Sequence, residues 1–355
     1  MAALRTIPAS RSQIPPTTLP AHMSTFLPPR RGVDLELLGK VARLHYDFGL
    51  THQEIGEILR LSRVKVTRLL QQARDVGIVN IEVRTDASPY AAIEVALTST
   101  FDLDEALIVP EFDDNERLRP AIARTAAGYL RRVLHDGMTV ALSLSRTVAL
   151  VPSFVSAPRP ISASFVSLVG GLRSSSEAMN PYESTERLAQ LFGGTAEHLH
   201  APVIVASAEA ARSLMQEPAI AQTLQRARDA DACLVGLGGV HDHLNLVAEG
   251  YMTAAGWDEL VAGGMVGDIG ARYFDAAGQP VECDVNDRVI GLTLDEIRHI
   301  PLRVIVAGGR DKDRAIHAAL ETGLISVLVT DAGTASRVLA AHRQEKRRAK
   351  GASRA

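Results

Sequence analysis

The chain contains few cysteines and few aromatic residues. Its 355 residues include two cysteines, Cys233 and Cys283, and 4% aromatic residues. Two cysteines argue against a disulfide framework and against a cysteine-based metal site. A surface that stacks single-stranded nucleic acid needs exposed rings between its charges, so the shortage of aromatic residues argues against that function as well.

Long apolar segments are missing too. Six prolines fall within residues 1–31 and interrupt every candidate core of a signal peptide. No run of the chain approaches the roughly 18 consecutive apolar residues of a membrane span. We therefore expect a cytoplasmic protein with no membrane partner, and a proline-rich, disordered arm over residues 1–31. The remaining length predicts about two globular domains.

A capping box marks the start of the most informative segment. The Thr51 hydroxyl can accept from the amide of Glu54, whose carboxylate can reach back to the amide of Thr51. A short helix is therefore predicted to follow, and Ser62 is a favourable N-cap for a second helix that ends near Asp75. The predicted apolar face of the first helix is formed by Ile55, Ile58 and Leu59.

A further helix and a strand complete this module. Residues 34–48 are predicted to be helical, and residues 78–84 are predicted to form a strand. Together these elements occur in the order of a winged helix-turn-helix DNA-binding domain, which we place at residues 32–86. The expected inner face of the added helix is formed by Leu37, Val41, Leu44 and Phe48.

The second helix of the motif reverses the sign of the chain's charge. Five cations and no acid lie between Arg60 and Arg74, although the whole chain carries a formal net charge of −3. DNA phosphates favour such a surface through counterion release, and Arg, Lys, Gln and Thr can donate to base edges in the major groove. A solvated amphipathic helix is the alternative interpretation. The side chains predicted to contact double-stranded operator DNA are Thr51, Gln53, Ser62, Arg63, Lys65, Thr67, Arg68 and Gln71.

Beyond residue 91 the pattern changes to short β-rich runs that alternate with amphipathic helices. This alternation predicts an α/β, Rossmann-like domain with a mainly parallel sheet covered by helices on both faces. We place this domain at residues 87–342 and a frayed basic tail at residues 343–355. The predicted strands are residues 139–145, 165–171, 198–205, 232–239, 289–294, 303–309 and 325–331.

Ligands of such sheets bind at the carboxyl ends of the strands, where loops lead into helices. Those ends combine glycines with hydroxyls, an amide, a carboxylate and cations, which suits a polyol or a sugar phosphate. Each polar residue has a structural alternative: Asp268 can cap a turn, Lys312 can be solvated, Arg146 can form an ion pair, and Asn180 can form a turn. The predicted effector-binding residues are Ser145, Arg146, Thr147, Gly170, Gly171, Asn180, Gly238, Asp268, Gly309 and Lys312.

Several motifs occur in a characteristic order, among them Leu61-Ser62-Arg63, Gly77-Ile78-Val79, Leu168-Val169-Gly170-Gly171, Gly236-Leu237-Gly238, Gly267-Asp268-Ile269 and Ala307-Gly308-Gly309. In this order they resemble the sorbitol-operon regulator (SorC) family of bacterial transcriptional regulators, which is also grouped with deoxyribonucleoside (DeoR-type) and central-glycolytic regulators. The resemblance covers residues 34–339. One departure is Leu144-Ser145-Arg146-Thr147, where the family often has Trp-Gly-Arg-Thr.

The resemblance implies a regulator of a carbohydrate or polyol catabolic operon, usually a repressor, rather than an enzyme. It implies an effector domain related in fold to sugar-phosphate isomerases and an assembly of two or four subunits. The effector would be a sugar, a polyol or a sugar phosphate that changes operator affinity.

Two other functions fit parts of the pattern. Isomerases and deaminases share this kind of sheet domain, and Asp268 or Asp331 would then act as a base while Lys312 held a phosphate. Alternatively, the chain is a DNA-binding activator whose sheet domain serves only for oligomerisation. No metal and no cofactor are predicted, because two histidine pairs lack a third ligand at a recognisable spacing. These pairs are His198 with His200 and His241 with His243.

Overall fold

The computed structural model describes residues 34–79, 89–156, 160–172, 181–241, 247 and 250–352. Contacts divide the chain into two compact units, residues 1–86 and residues 87–355. Within the described ranges, no helix is long and apolar enough to cross a membrane. The predicted arm over residues 1–31 lies outside these ranges.

The first unit is built from three short helices whose beginnings are fixed by side chains. The capping box is confirmed, because the Glu54 amide donates to the Thr51 hydroxyl at 3.3 Å and the Thr51 amide donates to the Glu54 carboxylate at 2.8 Å. Ser62 accepts from the Lys65 amide at 3.2 Å, as predicted for an N-cap. The helices are α1 (Leu35–Tyr46), α2 (His52–Leu59) and α3 (Arg63–Asp75).

A small apolar core holds these helices together. It consists of Leu38, Val41, Ala42, Ile55, Val66, Leu69, Leu70 and Ala73. Two predicted core residues are wrong. Phe48 is exposed because α1 ends at Tyr46 and the chain turns at Gly49, which has a φ of +68°. Ile58 is exposed because it lies at the edge of the face on which Ile55 is buried.

The strand predicted at residues 78–84 is not formed at residues 78 and 79, the part of it that the structure describes. Ile78 and Val79 lie in a turn and bend that follow α3, and Val79 donates its amide to Ala73 at 3.0 Å. This hydrogen bond closes the end of the helix, so the chain is still turning at the point where extended structure was expected. Residues 80–84 lie outside the described ranges.

The turn between α2 and α3 depends on a glycine. A Cβ at Gly56 would lie 2.6 Å from the Leu61 carbonyl oxygen, and the Leu61 amide donates to Gly56 at 2.8 Å. We expect Gly56→Ala to destabilise α2 and α3 by about 1–3 kcal/mol, because the overlap with backbone exceeds the gain in helix propensity of roughly 1 kcal/mol. Hydrogen exchange of peptides spanning residues 52–75 would measure the loss as faster amide exchange.

Gly39→Ala is a matched control for this substitution. Gly39 lies inside α1, where a Cβ would meet nothing within 4 Å. Alanine there is expected to slow exchange in α1, because it gains helix propensity without a clash. If amide exchange changed in the same direction in both variants, the close approach to Leu61 would not be the reason for glycine at position 56.

The second unit is a seven-stranded parallel sheet. Its order is β1-β10-β9-β5-β2-β3-β4, so the order reverses between the neighbouring strands β2 and β5. Helices cover both faces, and the strand side chains alternate between two apolar cores. The strands are β1 (Glu105–Val109), β2 (Thr139–Leu142), β3 (Ser164–Ser167), β4 (Thr195–Glu197), β5 (Ala232–Gly236), β9 (Leu302–Val306) and β10 (Val327–Asp331).

Eleven α-helices of this unit fall within the described residues. They are α4 (Ala91–Phe101), α5 (Asn115–Val133), α6 (Arg146–Leu150), α7 (Pro181–Phe192), α8 (Ala208–Met215), α9 (Pro218–Arg228), α10 (Ala254–Ala262), α11 (Asp284–Arg288), α12 (Leu294–His299), α13 (Asp313–Glu321) and α14 (Ala332–Ala352). The predicted α/β fold class is confirmed. The predicted fraying after residue 342 is wrong, because α14 continues to Ala352.

A small antiparallel sheet lies beside the main one. It contains β6 (Gly238–Gly239), β7 (Met265–Ile269) and β8 (Arg272–Asp275). Gly270 and Ala271 form the turn between β7 and β8 with φ values of +59° and +64°, as tight hairpin turns require. The Arg272 guanidinium donates to four backbone carbonyls between Asn286 and Leu292, which fixes the hairpin.

Two strand predictions in this unit are wrong. Residues 198–205 and 289–294 are not strands, and they instead form isolated bridges such as Ile204 with Val289. The edge position beside β3 is taken by β4, which ends just before residue 198. Both segments are apolar because they are buried against the sheet, so their apolar character did not indicate pairing.

Candidate functional site

One face of α3 is exposed and basic. Arg63, Lys65 and Arg68 are exposed, while the opposite face of the helix is buried in the core of the first unit. No acid lies between them on the helix. Three exposed cations on the solvent side of one helix form the kind of surface that phosphates and guanine edges attract.

The other predicted DNA contacts have partners within the protein. The hydroxyls of Thr51 and Ser62 cap α2 and α3, and Thr67 donates to the Arg63 carbonyl at 3.1 Å. Gln53 and Gln71 each contact a carboxylate four residues later on the same helix. These side chains are exposed, but the three cations are the group most directly available to a ligand.

A cavity of about 90 Å³ opens in the second unit at the point where the strand order reverses. Its walls come from the residues after β2, the residues after β5, the hairpin β7–β8 and the segment before α13. This is the edge where parallel sheets bind ligands. Six of the predicted effector-binding residues line it: Ser145, Arg146, Thr147, Gly238, Asp268 and Lys312.

Asp268 holds both of the roles considered for it. One carboxylate oxygen accepts from the Ala271 amide at 3.1 Å and so caps the hairpin turn. The carboxylate also lies against Gly238 on the neighbouring strand and lines the cavity. A Cβ at Gly238 would lie 1.9 Å from Asp268 Oδ1, so only glycine at position 238 leaves room for the carboxylate in this position.

Cations frame the cavity from two other sides. Lys312 extends its Nζ to the Leu237 carbonyl at 2.8 Å, across the end of β5. Arg146 lies at the beginning of α6, behind Ser145, whose hydroxyl accepts the amides of Thr147 and Val148. Together with Arg119 from α5, these residues make this edge of the cavity positively charged.

Tyr273 also lines the cavity, and it was not among the predicted effector-binding residues. Its hydroxyl is buried and has no hydrogen-bond partner among the described residues. Burial, reinforced by the neighbouring Asp268 carboxylate, raises the pKa of Tyr273 well above its usual value. The hydroxyl therefore keeps its proton and can donate to an oxygen of a ligand.

Two further lining residues were missed, Arg119 and Trp257. Trp257 is the single tryptophan of the chain, and its ring packs edge-on against Tyr273 with centroids 5.7 Å apart. Because tryptophan occurs once in the chain, the sequence alone could have marked Trp257 as a candidate lining residue. Arg119 lies inside α5 with an ion pair to Glu116, and nothing in its local sequence distinguishes it from a solvated helix residue.

Three predicted glycines lie outside this cavity. Gly170 packs against the backbone of Ala201 and Pro202, and Gly171 borders a different cavity with Tyr182. Gly309, with a φ of +106°, donates its amide to Asp331 at 2.9 Å. Gly170 is required by this close backbone approach, and glycine is favoured at position 309 by its positive φ. Asn180 and His243 lie outside the described residues.

Asp331, the second acid considered as a catalytic base, already accepts hydrogen bonds from neighbouring groups. Asp331 is buried, and its carboxylate accepts from Gly309, from the Thr334 amide at 2.9 Å and from the Thr334 hydroxyl at 2.6 Å. It therefore acts as a structural cap at the start of α14. His198 and His200 do not lie in a strand, and their rings pack against Tyr182.

Comparison with known proteins assigns the chain to a family. The family model of a sugar-binding domain (Sugar-bind) matches residues 86–340. The chain belongs to this family. The matched residues span both the seven-stranded sheet and the cavity at its switch point.

Relatives of this sugar-binding regulator are transcriptional regulators. The transcriptional regulator LsrR of Enterobacter sp. (strain 638) is 32% identical over 316 residues, which cover 86% of this chain and 93% of that protein. The deoxyribonucleoside regulator of Bacillus subtilis is 30% identical over 297 residues, covering 83% and 95%. These names confirm a transcriptional regulator and argue against the enzyme alternative.

Solved structures share the fold of this sugar-binding regulator. The sugar-binding domain of a transcriptional repressor from Vibrio fischeri superposes with a TM-score of 0.66 at 32% identity, covering 70% of this chain and 98% of that one. The full-length sorbitol operon regulator SorC from Klebsiella pneumoniae also gives 0.66, at 24% identity, covering 86% and 99%. The SorC-type fold predicted from the motif order is therefore confirmed.

Proposed function

We propose that this protein is a repressor of a carbohydrate or polyol catabolic operon, whose affinity for its operator falls when a sugar, polyol or sugar phosphate occupies the cavity. The DNA-binding part comprises residues 32–86, and residues 87–342 bind the effector and assemble the subunits. The protein acts in the cytoplasm, where its operator is.

The observation that carries this proposal is the convergence of six predicted residues on one cavity. They come from four separate parts of the chain, and they bring two cations and the Asp268 carboxylate to the same cavity. Carboxylates accept from vicinal hydroxyls, while cations pair with a phosphate or donate to a hydroxyl. The buried Tyr273 hydroxyl adds a donor.

The DNA-binding half of the proposal rests on α3. Arg63, Lys65 and Arg68 read base edges or hold phosphates, and the capping hydroxyls of Thr51 and Ser62 fix the helices that present them. A dimer reads two half-sites when its recognition helices lie about 34 Å apart. We therefore propose a homo-oligomer of two or four subunits, in which the effector changes the separation of these helices.

Fluorescence anisotropy of the purified protein on its own promoter DNA tests this function. The affinity is measured at one fixed salt concentration, alone and with a panel of polyols, sugars and sugar phosphates. We expect one compound to weaken binding by about 5- to 150-fold, which is the usual range of coupling between sites. A response confined to phosphorylated compounds would assign the cations an anion-binding role.

The alternative of a sheet unit that serves only for oligomerisation makes the opposite forecast. DNA would bind with the same affinity in the presence of every compound. The partnerless Tyr273 hydroxyl and the charged lining favour the ligand-responsive regulator, since a pure assembly domain has no need of either.

A further inference from the structure

Two histidines and a glutamate meet between the last two helices, away from the cavity. His317 and Glu321 lie four residues apart on α13 and therefore share one face of that helix. His342 faces them from α14. Among the described residues, this is the group whose potential ligand atoms, one from each side chain, all lie within 4.8 Å of one another.

The contacts in this group centre on one carboxylate oxygen. Glu321 Oε1 lies 3.4 Å from His317 Nε2 and also contacts His342 Nδ1. Both histidines are buried, with 10% of each side chain exposed. Their Nε2 atoms have no hydrogen-bond partner in the part of the chain that the structure describes. Two buried ring nitrogens that make no hydrogen bond are costly unless something else satisfies them, and His317 Nε2 has only its longer ion-pair contact with Glu321.

We propose that His317, Glu321 and His342 bind a divalent transition-metal ion, with zinc preferred. Imidazole nitrogens with a carboxylate oxygen are a common zinc ligand set. Ligand atoms held 2.0–2.2 Å from a zinc ion are roughly 3–3.5 Å apart, so the widest separation in the group has to contract by about 1.3–1.8 Å. Water fills the fourth position.

The surroundings have the features of a supported metal site. Glu345 Oε1 lies 3.9 Å from His317 Nδ1, on the side of the ring opposite Nε2. A carboxylate behind a ligating histidine fixes the ring and raises its basicity. The Phe101 ring from α4 packs edge-on against both imidazoles, with centroids 6.0 Å and 4.9 Å away, and shields them from water.

The ion would join α13 to α14 at a point where α4 also packs. His317 and Glu321 lie within residues 86–340, which the family model matches, whereas His342 and Glu345 lie just beyond them on α14. Binding of an ion to the folded state stabilises it by mass action. This proposal is independent of the effector cavity, since none of the three ligands lines it.

Isothermal titration of Zn²⁺ into the chelator-treated, full-length protein tests the site. We expect one ion per chain and a loss of affinity greater than about 100-fold in both His317→Gln and His342→Gln. Glu345→Gln is expected to cost about 10- to 100-fold, because it removes the supporting carboxylate. His135→Gln is the matched control, since His135 is exposed and contacts only the carbonyl of its neighbour Asp136 among the contacts described for it.

Two results would overturn the proposal. One is the absence of stoichiometric Zn²⁺ binding, which would mean that the histidines and Glu321 form only an ion-paired cluster. The other is equal affinity in the wild type, His317→Gln and His342→Gln. Because either histidine variant can lose its fold, Co²⁺ is also added to the wild type and to Glu321→Gln. A low-coordinate cobalt spectrum in the wild type alone supports the site, and a six-coordinate spectrum in both refutes it.

Discussion

Replacing Arg68 with alanine is expected to abolish specific operator binding. Arg68 is exposed in the N-terminal half of α3, and the N-terminal residues of a recognition helix are the ones that contact base edges. Loss of one bidentate arginine contact costs about 1–3 kcal/mol, and a dimer loses it in both half-sites. The total of about 2–6 kcal/mol corresponds to roughly 30-fold to 10⁴-fold weaker binding, measurable by fluorescence anisotropy.

The control for this substitution is Arg43→Ala. Arg43 is also an exposed arginine of the first unit, but it lies on α1 and pairs with Asp47 at 3.2 Å. Its removal is expected to leave operator affinity nearly unchanged, while circular dichroism shows both variants folded. An Arg68→Ala protein that binds its operator as tightly as Arg43→Ala would refute the assignment of α3 as the recognition helix.

Replacing Asp268 with alanine is expected to have the reverse effect. The protein still binds its operator, but the effector no longer releases it. A hydrogen bond to a charged group contributes about 1.5–3 kcal/mol, so effector affinity is expected to fall by roughly 10- to 150-fold. The measurement is the effector concentration that half-releases labelled operator DNA from the variant and from the wild type.

Two controls separate ligand binding from support of the turn. Asp268→Asn keeps an acceptor for the Ala271 amide but removes the charge, so it should retain the hairpin and still lose effector affinity. Asp275→Ala removes a comparable turn cap, because Asp275 accepts the amides of Ala277 and Gln279 at 2.9 Å, but it lies outside the cavity lining. A normal effector response in Asp268→Asn would exclude Asp268 from the site.

The helix-turn-helix was predictable because its signals are local. Thr51, Glu54 and Ser62 act within four residues of themselves, so sequence spacing determines their hydrogen bonds. The residues after β2 and β5 were predictable for a different reason. Parallel strands place their carboxyl ends on one edge, so the loops that follow them must meet there.

The hairpin β7–β8 was not predictable in this way. Gly267 lies in strand β7 and not in a turn. Glycine is required there because a Cβ would lie 2.5 Å from the Gly238 carbonyl oxygen and from the Ala315 side chain. Both contacts come from distant parts of the chain. The Tyr273 hydroxyl lacks a hydrogen bond among the described residues only because packing buries it, which the sequence does not reveal. The histidine cluster between α13 and α14 is likewise brought together only by the packing of the two helices.

The reversal of strand order between β2 and β5 also affects how such a regulator can be altered. The residues that line the cavity after β2 follow the last paired residue of that strand, Leu142, so they lie outside its register with β3 and β5. Substitutions confined to residues 144–147 can therefore change which small molecule is recognised while the strands keep their register. The fold is thus suited to redirection as a biosensor, with the operator-binding unit left unchanged as the reporter.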